Sequence, residues 1–442
     1  MHAQTRQMTA KKPKAPLAGS IAIPGDKSIS HRALMFAALA IGQTRIQGLL
    51  EGEDVMRTAA AMRQLGAEIT NDAPGNWRVA GRGIGALTEP NDVLDMGNSG
   101  TAARLLCGIL ASHDIFAVMT GDASLRGRPM RRVTEPLAAC GATFQSREGG
   151  RLPLAIRGAR DALPLEYRLP VASAQVKSAL LLAGLNARGW TTIEEPEPTR
   201  DHTERMLRHF GAEVHVEQSG PGRTIRLLGQ PELVAADVTV PGDPSSAAFP
   251  IVAALLVPGS RITLRGVGLN PARTGLFTTL REMGADLAFS NERTEGGESV
   301  ADITVIHSPL HGVDVPANRA PSMIDEYPVL AAAAAVAKGR TRMQGLKELR
   351  VKESDRLAAT AALLAVNGVR VTIEADELHV EGGPIPGGGQ VQTHMDHRIA
   401  MTALVLGQAA EAPIHIDDGA FIDTSFPGFA TLMRTLGANI DG

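Results

Sequence analysis

Lys27, Ser28, His31 and Arg32 lie within one short stretch near the start of the chain, PGDKSISHR, and lead directly into the apolar run ALMFAALA. Two cations, hydroxyls and an imidazole at the mouth of a buried helix are suited to holding an anion. A helix N-terminus attracts negative charge through its free N–H groups and the positive end of its dipole. A lysine placed there is unfavourable unless an anion arrives; the alternative is an ordinary solvated cap. The stretch is not a P-loop, because the Gly-Lys-Ser/Thr of that motif is missing. GRGIGA, beginning at Gly81, fits a dinucleotide fingerprint, but Thr88-Glu89-Pro90 follows where a helix should start, so it reads as a loop.

Other segments have the same character. DMGNSGTAAR offers Asn98, Gly100 and Thr101 as backbone and side-chain donors to a ligand lying close against the main chain. An ordinary capped turn is the alternative. GDASLRGRPMRR carries Arg126, Arg128, Arg131 and Arg132; most of such a run faces solvent, and Arg128, held by Pro129, is the candidate ligand contact. SAQVKS supplies Ser173, Ala174 and Gln175 at a third helix start, with hydroxyl and amide groups suited to a polyol. Arg200, in PTRDHTERM, adds a cation, and His202 reads as a surface or supporting group.

The second half holds the acid/base candidates. SMIDEYPVLAAAAA puts Asp325 and Glu326 directly before an apolar helix; one carboxylate is the expected cap and the other a candidate base. LRVKESDRLAAT sets Lys352 and Arg356 four apart. On one helical face this is mildly destabilising, but two cations so placed converge on a phosphate or carboxylate. Glu353 beside them is a further acid or base, and Arg398 sits at the last helix start, in HMDHRIAMTALV. His394 and His397 are metal-ligand types, but no Cys or paired carboxylate completes a spacing, so no metal site is expected.

The elements that must position these groups repeat along the chain. A helix-like run, a small turn and a strand recur as LGAEI at Gly66, CGATF at Gly141, FGAEV at Gly211, MGADL at Gly284, NGVRV at Gly368 and LGANI at Gly437. Gly after a helix suits a left-handed C-cap, and the apolar alternation after it suits a strand. Each copy starts with a polar turn and an Ala/Leu-rich helix that is apolar nearly all round, which predicts six helices buried on every side. IAIPGDKS and VTVPGDPS match best, so the chain divides into three copies plus three, crossing near Pro24 and Pro241. The fourth copy has Pro244 where the first has Lys27, so the scaffold does not require the cation. The expectation is an α/β protein of two similar domains, residues 1–24 with 241–442 and residues 25–240.

A chain of 442 residues is too long for one compact core, which agrees with two domains. Lys and Arg number 44 against 47 Asp and Glu, so no basic excess marks a nucleic-acid binder. At 3% aromatic residues, base-stacking platforms are not expected either. Cys107 and Cys140 are the only cysteines and neither forms a CxxC, so a reducing compartment fits. No apolar stretch reaches the roughly 18 residues of a membrane span. MHAQTRQMTAKKPKAPLAG lacks the apolar segment of a secretory signal and reads as a frayed basic tail followed by a strand. A cytoplasmic protein without cofactor, closing a cleft between two domains on two small, highly anionic substrates, is the expectation.

Taken together, PGDKSISHRALM, GNSGTAAR, RPM, SAQVKSALLLAGLN, VPGDPSSAAFP, APSMIDEYPVL, LRVKESDRL and DHRIAM resemble the 5-enolpyruvylshikimate-3-phosphate synthase family, in order, from about residue 17 to the C-terminus. The wording is most similar to the class II bacterial type. The resemblance implies two domains of three βαβαββ units each, an inside-out α/β barrel, and transfer of the enolpyruvyl group of phosphoenolpyruvate to the 5-hydroxyl of shikimate 3-phosphate. It further implies that Lys27, Ser28, Arg32, Ser173, Ala174, Gln175, Arg200, Asp325 and Lys352 hold shikimate 3-phosphate. Lys27, Gly100, Arg128, Gln175, Arg356 and Arg398 would line the phosphoenolpyruvate site. Asp325, Glu353 and Lys27 would move protons, in a monomer.

Two departures stand out. Where many class I members carry a Lys before the final Phe-Pro, this chain reads DTSFP, with Thr424 and Ser425. Glyphosate-tolerant class II members have Ala where this chain has Gly100, and the missing methyl implies sensitivity to the inhibitor. The sister transferase acting on UDP-N-acetylglucosamine usually relies on a loop cysteine; Cys107, inside an apolar helix, and Cys140, before a turn, do not fit that role. A non-catalytic anion-binding protein would not need both Asp325 and Glu353.

Overall fold

The computed structural model describes residues 5–442 and contains six four-stranded sheets among them. The six apolar runs are helices over Lys27–Leu39, Gly100–Ala111, Ala174–Gly184, Pro244–Leu256, Tyr327–Val336 and His397–Leu406. Nearly every residue of these inner helices is buried, as their unbroken apolar surfaces require. Small residues let them pack closely: a methyl on Gly108 would lie 2.0 Å from the Ala179 carbonyl of the neighbouring inner helix.

The second copy displays the repeat in full. Strand Leu94–Asp95 enters the inner helix Gly100–Ala111, which returns the chain to strand Phe116–Thr120, parallel to the first. An outer helix, Arg131–Ala138, leads to the hairpin Thr143–Arg147 and Arg151–Arg157, whose second strand pairs antiparallel with Phe116–Thr120. A parallel pair needs such a crossover. The outer helices end as the repeated glycines predict: all six have φ between +82° and +103°. In five copies the next residue closes the helix end, for instance Ala67 N–H to the Met62 carbonyl at 3.0 Å and Ala212 N–H to the Leu207 carbonyl at 2.8 Å.

Two strands are exchanged between copies that are distant in sequence. Ala18–Ala22, which precedes the first inner helix, pairs parallel with Arg261–Gly268 of the fourth copy. Val238–Thr239, which precedes the fourth inner helix, pairs parallel with Ile41–Gln47 of the first. The basic tail corrects the sequence expectation: residues 1–4 lie outside the described residues, but Met8–Lys11 is a strand. It sits between Ile414–Ile416 and Asn439–Asp441 and supplies the fourth strand of the sixth sheet.

The chain forms two compact units. One comprises residues 1–24, 241–294 and 298–442; the other comprises residues 25–240 together with Glu295–Gly297. Each has its own apolar core around three inner helices. Among the described residues, no helix is long and apolar enough to cross a membrane, and no group of three His, Cys, Asp or Glu is placed to hold a metal.

Candidate active site

The starts of the inner helices carry the candidate residues, and local capping fixes them there. In the unit of residues 25–240, Asp26 caps the first inner helix by accepting the Ile29 N–H at 2.9 Å. Ser99 and Ser173 cap the second and third in the same way. Lys27, the first helical residue, donates to Asp54 Oδ2 at 3.0 Å. Arg32, one turn further, is buried; its guanidinium donates to the Thr203 hydroxyl at 2.7 Å, the Ser178 hydroxyl at 2.8 Å and the Ser28 carbonyl at 2.9 Å. Ser28 itself is half-buried.

His31 lies between them, fully buried, with Nδ1 2.7 Å from the Thr58 hydroxyl. Burial, reinforced by Lys27 and Arg32 and opposed by Asp26, holds its pKa well below the ordinary 6.5. It is therefore a neutral packing group beside the cations.

Gly100 is flanked by two guanidiniums. A methyl built on it would stand 2.8 Å from Arg104 Nη1 and 2.9 Å from Arg128 Nη1. Arg128 is buried and donates to Asn98 Oδ1 at 2.6 Å and the Ser124 hydroxyl at 3.0 Å. Arg126 and Arg131 are exposed, as expected of that run. Arg104 donates to Gln175 Oε1 at 2.9 Å, and Gln175 Nε2 donates to Thr101 Oγ1 at 3.0 Å, joining the second helix start to the third. Ser173, Ala174 and Gln175 are half-buried, as is Arg200, which follows the buried Thr199. Of the two readings of His202, surface or supporting, burial removes the first: it is buried at the first position of helix His202–His209.

In the other unit the charges centre on Asp325. Its Oδ1 lies 3.1 Å from Arg356 Nη1 and 3.7 Å from Lys352 Nζ, and its backbone carbonyl accepts from Arg398 Nη1 at 3.1 Å. Arg356 is buried; it donates to both oxygens of Asp396, at 2.9 and 3.3 Å, and its Nη2 is 2.5 Å from Glu353 Oε2. Burial opposes its charge, but Asp396, Glu353 and Asp325 outweigh that and raise its pKa. Asp396 also caps the last inner helix through the Arg398 backbone N–H at 3.0 Å, so one carboxylate holds the Arg356 guanidinium and fixes the helix start that carries Arg398.

Two sequence expectations change here. Neither Asp325 nor Glu326 caps helix Tyr327–Val336: Glu326 occupies the cap position without a capping bond and accepts instead from the Ser245 hydroxyl. Lys352 and Arg356 do not share a helical face either. A 3₁₀ turn, Lys347–Val351, ends at Lys352, and a separate helix, Arg356–Val366, starts after its cap Asp355. The bend still brings both cations to Asp325.

Four groups were not picked from the sequence. Arg104 had a signal, lying four residues after Gly100 on one helix. Asp396 had one too, immediately before His397 and Arg398. Asp54 had none. Nor did Arg273, which reaches Asp243 at 2.9 Å and Ser245 at 2.7 Å at the fourth helix start. Thr424, in the DTSFP segment, is buried and donates to the Phe421 carbonyl at 2.7 Å. Both cysteines are buried, and burial pushes the Cys107 thiol up to about 12. Neither is placed to act as an acid.

The chain is similar over nearly its whole length to known proteins. The profile of the family EPSP synthase (3-phosphoshikimate 1-carboxyvinyltransferase) matches residues 11–433. A 3-phosphoshikimate 1-carboxyvinyltransferase of Granulibacter bethesdensis is 73% identical over 441 residues, covering 98% of this chain and 97% of that one. One from Acidiphilium cryptum is 70% identical, covering 100% of this chain and 99% of its own. The solved EPSP synthase of Acinetobacter baumannii superposes with a TM-score of 0.87 at 44% identity, covering 99% of each chain. The enolpyruvyl transferase NikO of Streptomyces tendae, at 19% identity and a TM-score of 0.78 over 99% of each chain, shares the fold.

Proposed function

The chain belongs to the EPSP synthase family, and from that premise we propose how its side chains carry the family's reaction. The enzyme transfers the enolpyruvyl group of phosphoenolpyruvate to the 5-hydroxyl of shikimate 3-phosphate and releases phosphate. Lys27, Ser28, Arg32, Ser173, Ala174, Gln175, Arg200, Asp325 and Lys352 hold shikimate 3-phosphate. Lys27, Gly100, Arg128, Gln175, Arg356 and Arg398 hold phosphoenolpyruvate.

The chemistry needs a proton delivered to the methylene carbon, C3, of phosphoenolpyruvate, which leaves C2 cationic. Glu353, with Lys27, serves that transfer. The 5-hydroxyl oxygen then bonds to C2 while Asp325 takes its proton, giving a tetrahedral adduct. Loss of a proton from the new methyl group and of phosphate from C2 restores the double bond. Fixed guanidiniums stabilise the phosphate and carboxylate throughout, the largest contribution such a site can make.

The observation that carries this reading is the convergence of Lys352, Arg356 and Arg398 on Asp325, with Glu353 against the same arginine. A bound carboxylate or phosphate takes over cationic donors that Asp325 and Glu353 now share. Asp325 is then released as a base next to the charge it helps to place. The same reading makes the protein a cytoplasmic monomer with no cofactor; sedimentation checks the oligomeric state.

Phosphate release from phosphoenolpyruvate tests it. Release should require shikimate 3-phosphate and should not occur with UDP-N-acetylglucosamine or with no acceptor. Asp325→Asn should lower kcat by about 10²–10⁴-fold, the usual contribution of a general base, while the variant still unfolds in one cooperative transition. Turnover by that variant near the normal rate would remove Asp325 from the proposed role.

A further inference from the structure

Lys177 is fully buried, and so are the two carboxylates that meet it. Its Nζ lies 3.1 Å from Oε1 and 3.2 Å from Oε2 of Glu195, and 2.7 Å from Oε1 of Glu204. The three residues come from three elements: the inner helix Ala174–Gly184, the end of strand Trp190–Glu195, and helix His202–His209. Burial opposes the charge on Lys177, but Glu204 and Glu195 outweigh it and raise its pKa, so the ammonium stays charged. Removing three charges from water is expensive, and apolar residues of similar volume hold elements together as well or better. Packing alone therefore does not account for the triad.

Its neighbours do. Lys177 is two residues after Gln175, in the first turn that Ser173 caps. Glu195 Oε1 accepts the Thr199 N–H at 2.9 Å and also the Thr199 hydroxyl, fixing the residue directly before Arg200. Glu204 follows Thr203, whose hydroxyl meets both Arg32 Nε and Ser178 Oγ at 2.7 Å. Of the side chains of this unit assigned above to shikimate 3-phosphate, Gln175 and Arg200 are thus within two residues of the network, Ser173 and Ala174 open the helical turn that carries Lys177, and Arg32 bonds the residue before Glu204.

The geometry points to Lys177, Glu195 and Glu204 as positioning residues. The triad locks the Ser173–Gln175 turn and the Arg200 loop at one separation, so that hydroxyl, amide and guanidinium reach a single phosphorylated ring. This rests on the assignment of Ser173, Gln175 and Arg200 to shikimate 3-phosphate.

Calorimetric titration of the full chain with shikimate 3-phosphate alone tests it, using Arg200→Ala, the neutral triple variant Lys177→Met/Glu195→Gln/Glu204→Gln, and Glu204→Gln. The last leaves Lys177 paired with Glu195 and keeps the proposal testable should the triple variant not fold. Arg200→Ala and the triple variant should each weaken binding about tenfold or more, and Glu204→Gln about threefold or more. The KM for phosphoenolpyruvate should change less than about twofold in Glu204→Gln. Wild-type affinity in Glu204→Gln and in any folded triple variant, with binding lost in Arg200→Ala, would overturn the proposal and leave the site assignment standing. Wild-type affinity in Arg200→Ala would remove the assignment, and the proposal with it.

Discussion

At the scale of single residues, Gly100 is where one added methyl is felt most. Its Cβ would sit 2.8 and 2.9 Å from two guanidinium nitrogens, against an ordinary contact of roughly 3.5 Å, so Arg104 and Arg128 must both retract. Arg128 is a proposed phosphoenolpyruvate ligand, and Arg104 holds Gln175. Gly100→Ala should therefore raise the KM for phosphoenolpyruvate by about tenfold, near 1.4 kcal/mol, and leave that for shikimate 3-phosphate within about threefold. Glyphosate should inhibit the wild-type enzyme in competition with phosphoenolpyruvate, and less in the variant. Steady-state kinetics decide it; an unchanged KM would show that the two arginines retract without loss. The motif GNSGTAAR made Gly100 a candidate from its lack of a side chain, whereas Arg104 passed for a residue of an apolar helix. What decides Arg104 is its reach to Gln175, far along the chain, and that contact has no sequence signature.

At the scale of elements, the helix starts were legible and their connections were not. Polar residues directly before the apolar runs cap five of the six inner helices, Asp26, Ser99, Ser173, Asp243 and Asp396, while the expected carboxylate cap at Asp325 or Glu326 does not form. The charge spacing of the run KESDR reads as one helical face; Asp355 instead caps a new helix there. Inner and outer helices of the first copy are joined by His31 and Thr58, and this joint gives stability a pH dependence. His113 adds to it: its ring accepts the Gly85 N–H at 3.2 Å and its other nitrogen is 2.7 Å from the Ile109 carbonyl, an arrangement that requires the neutral form. Burial lowers the pKa of both histidines below the ordinary 6.5, against the Ile109 carbonyl at His113. As pH falls through 6.5, the unfolded chain gains protons that the folded one refuses, so stability drops, by up to about 1.4 kcal/mol per pH unit for each group. Urea midpoints should fall between pH 7 and pH 5, and the slope should be shallower in His31→Gln and His113→Gln. Equal slopes in wild type and variants would assign the effect elsewhere.

At the scale of the whole molecule, the six copies were legible because each repeats a glycine and an apolar helix. The match of IAIPGDKS with VTVPGDPS pointed to crossings near Pro24 and Pro241, but the strand that each crossing segment pairs with was not legible. IAIPGDKS and VTVPGDPS look equivalent in sequence, and nothing local says that each strand pairs in the sheet of the other copy. Met8–Lys11 was missed for the same reason: four residues of mixed polarity carry no period, and their partners lie some four hundred residues away. The exchange has a consequence for folding. Residues 25–240 contain all of one unit except Glu295–Gly297, so as a fragment they should fold cooperatively. Residues 241–442 lack an inner strand of the sixth sheet and an edge strand of the fourth. They also lose Met8, Leu17, Ile21 and Ile23 from the core. At about 2 kcal/mol for each large apolar side chain, that is about 8 kcal/mol before any strand pairing, comparable to the net stability of a typical domain. Alone, this fragment should show no cooperative thermal transition by circular dichroism, and adding a peptide of residues 1–24 in excess should restore one. A cooperative transition of residues 241–442 without the peptide would mean that these strands are dispensable and that the unit is held by its inner helices alone.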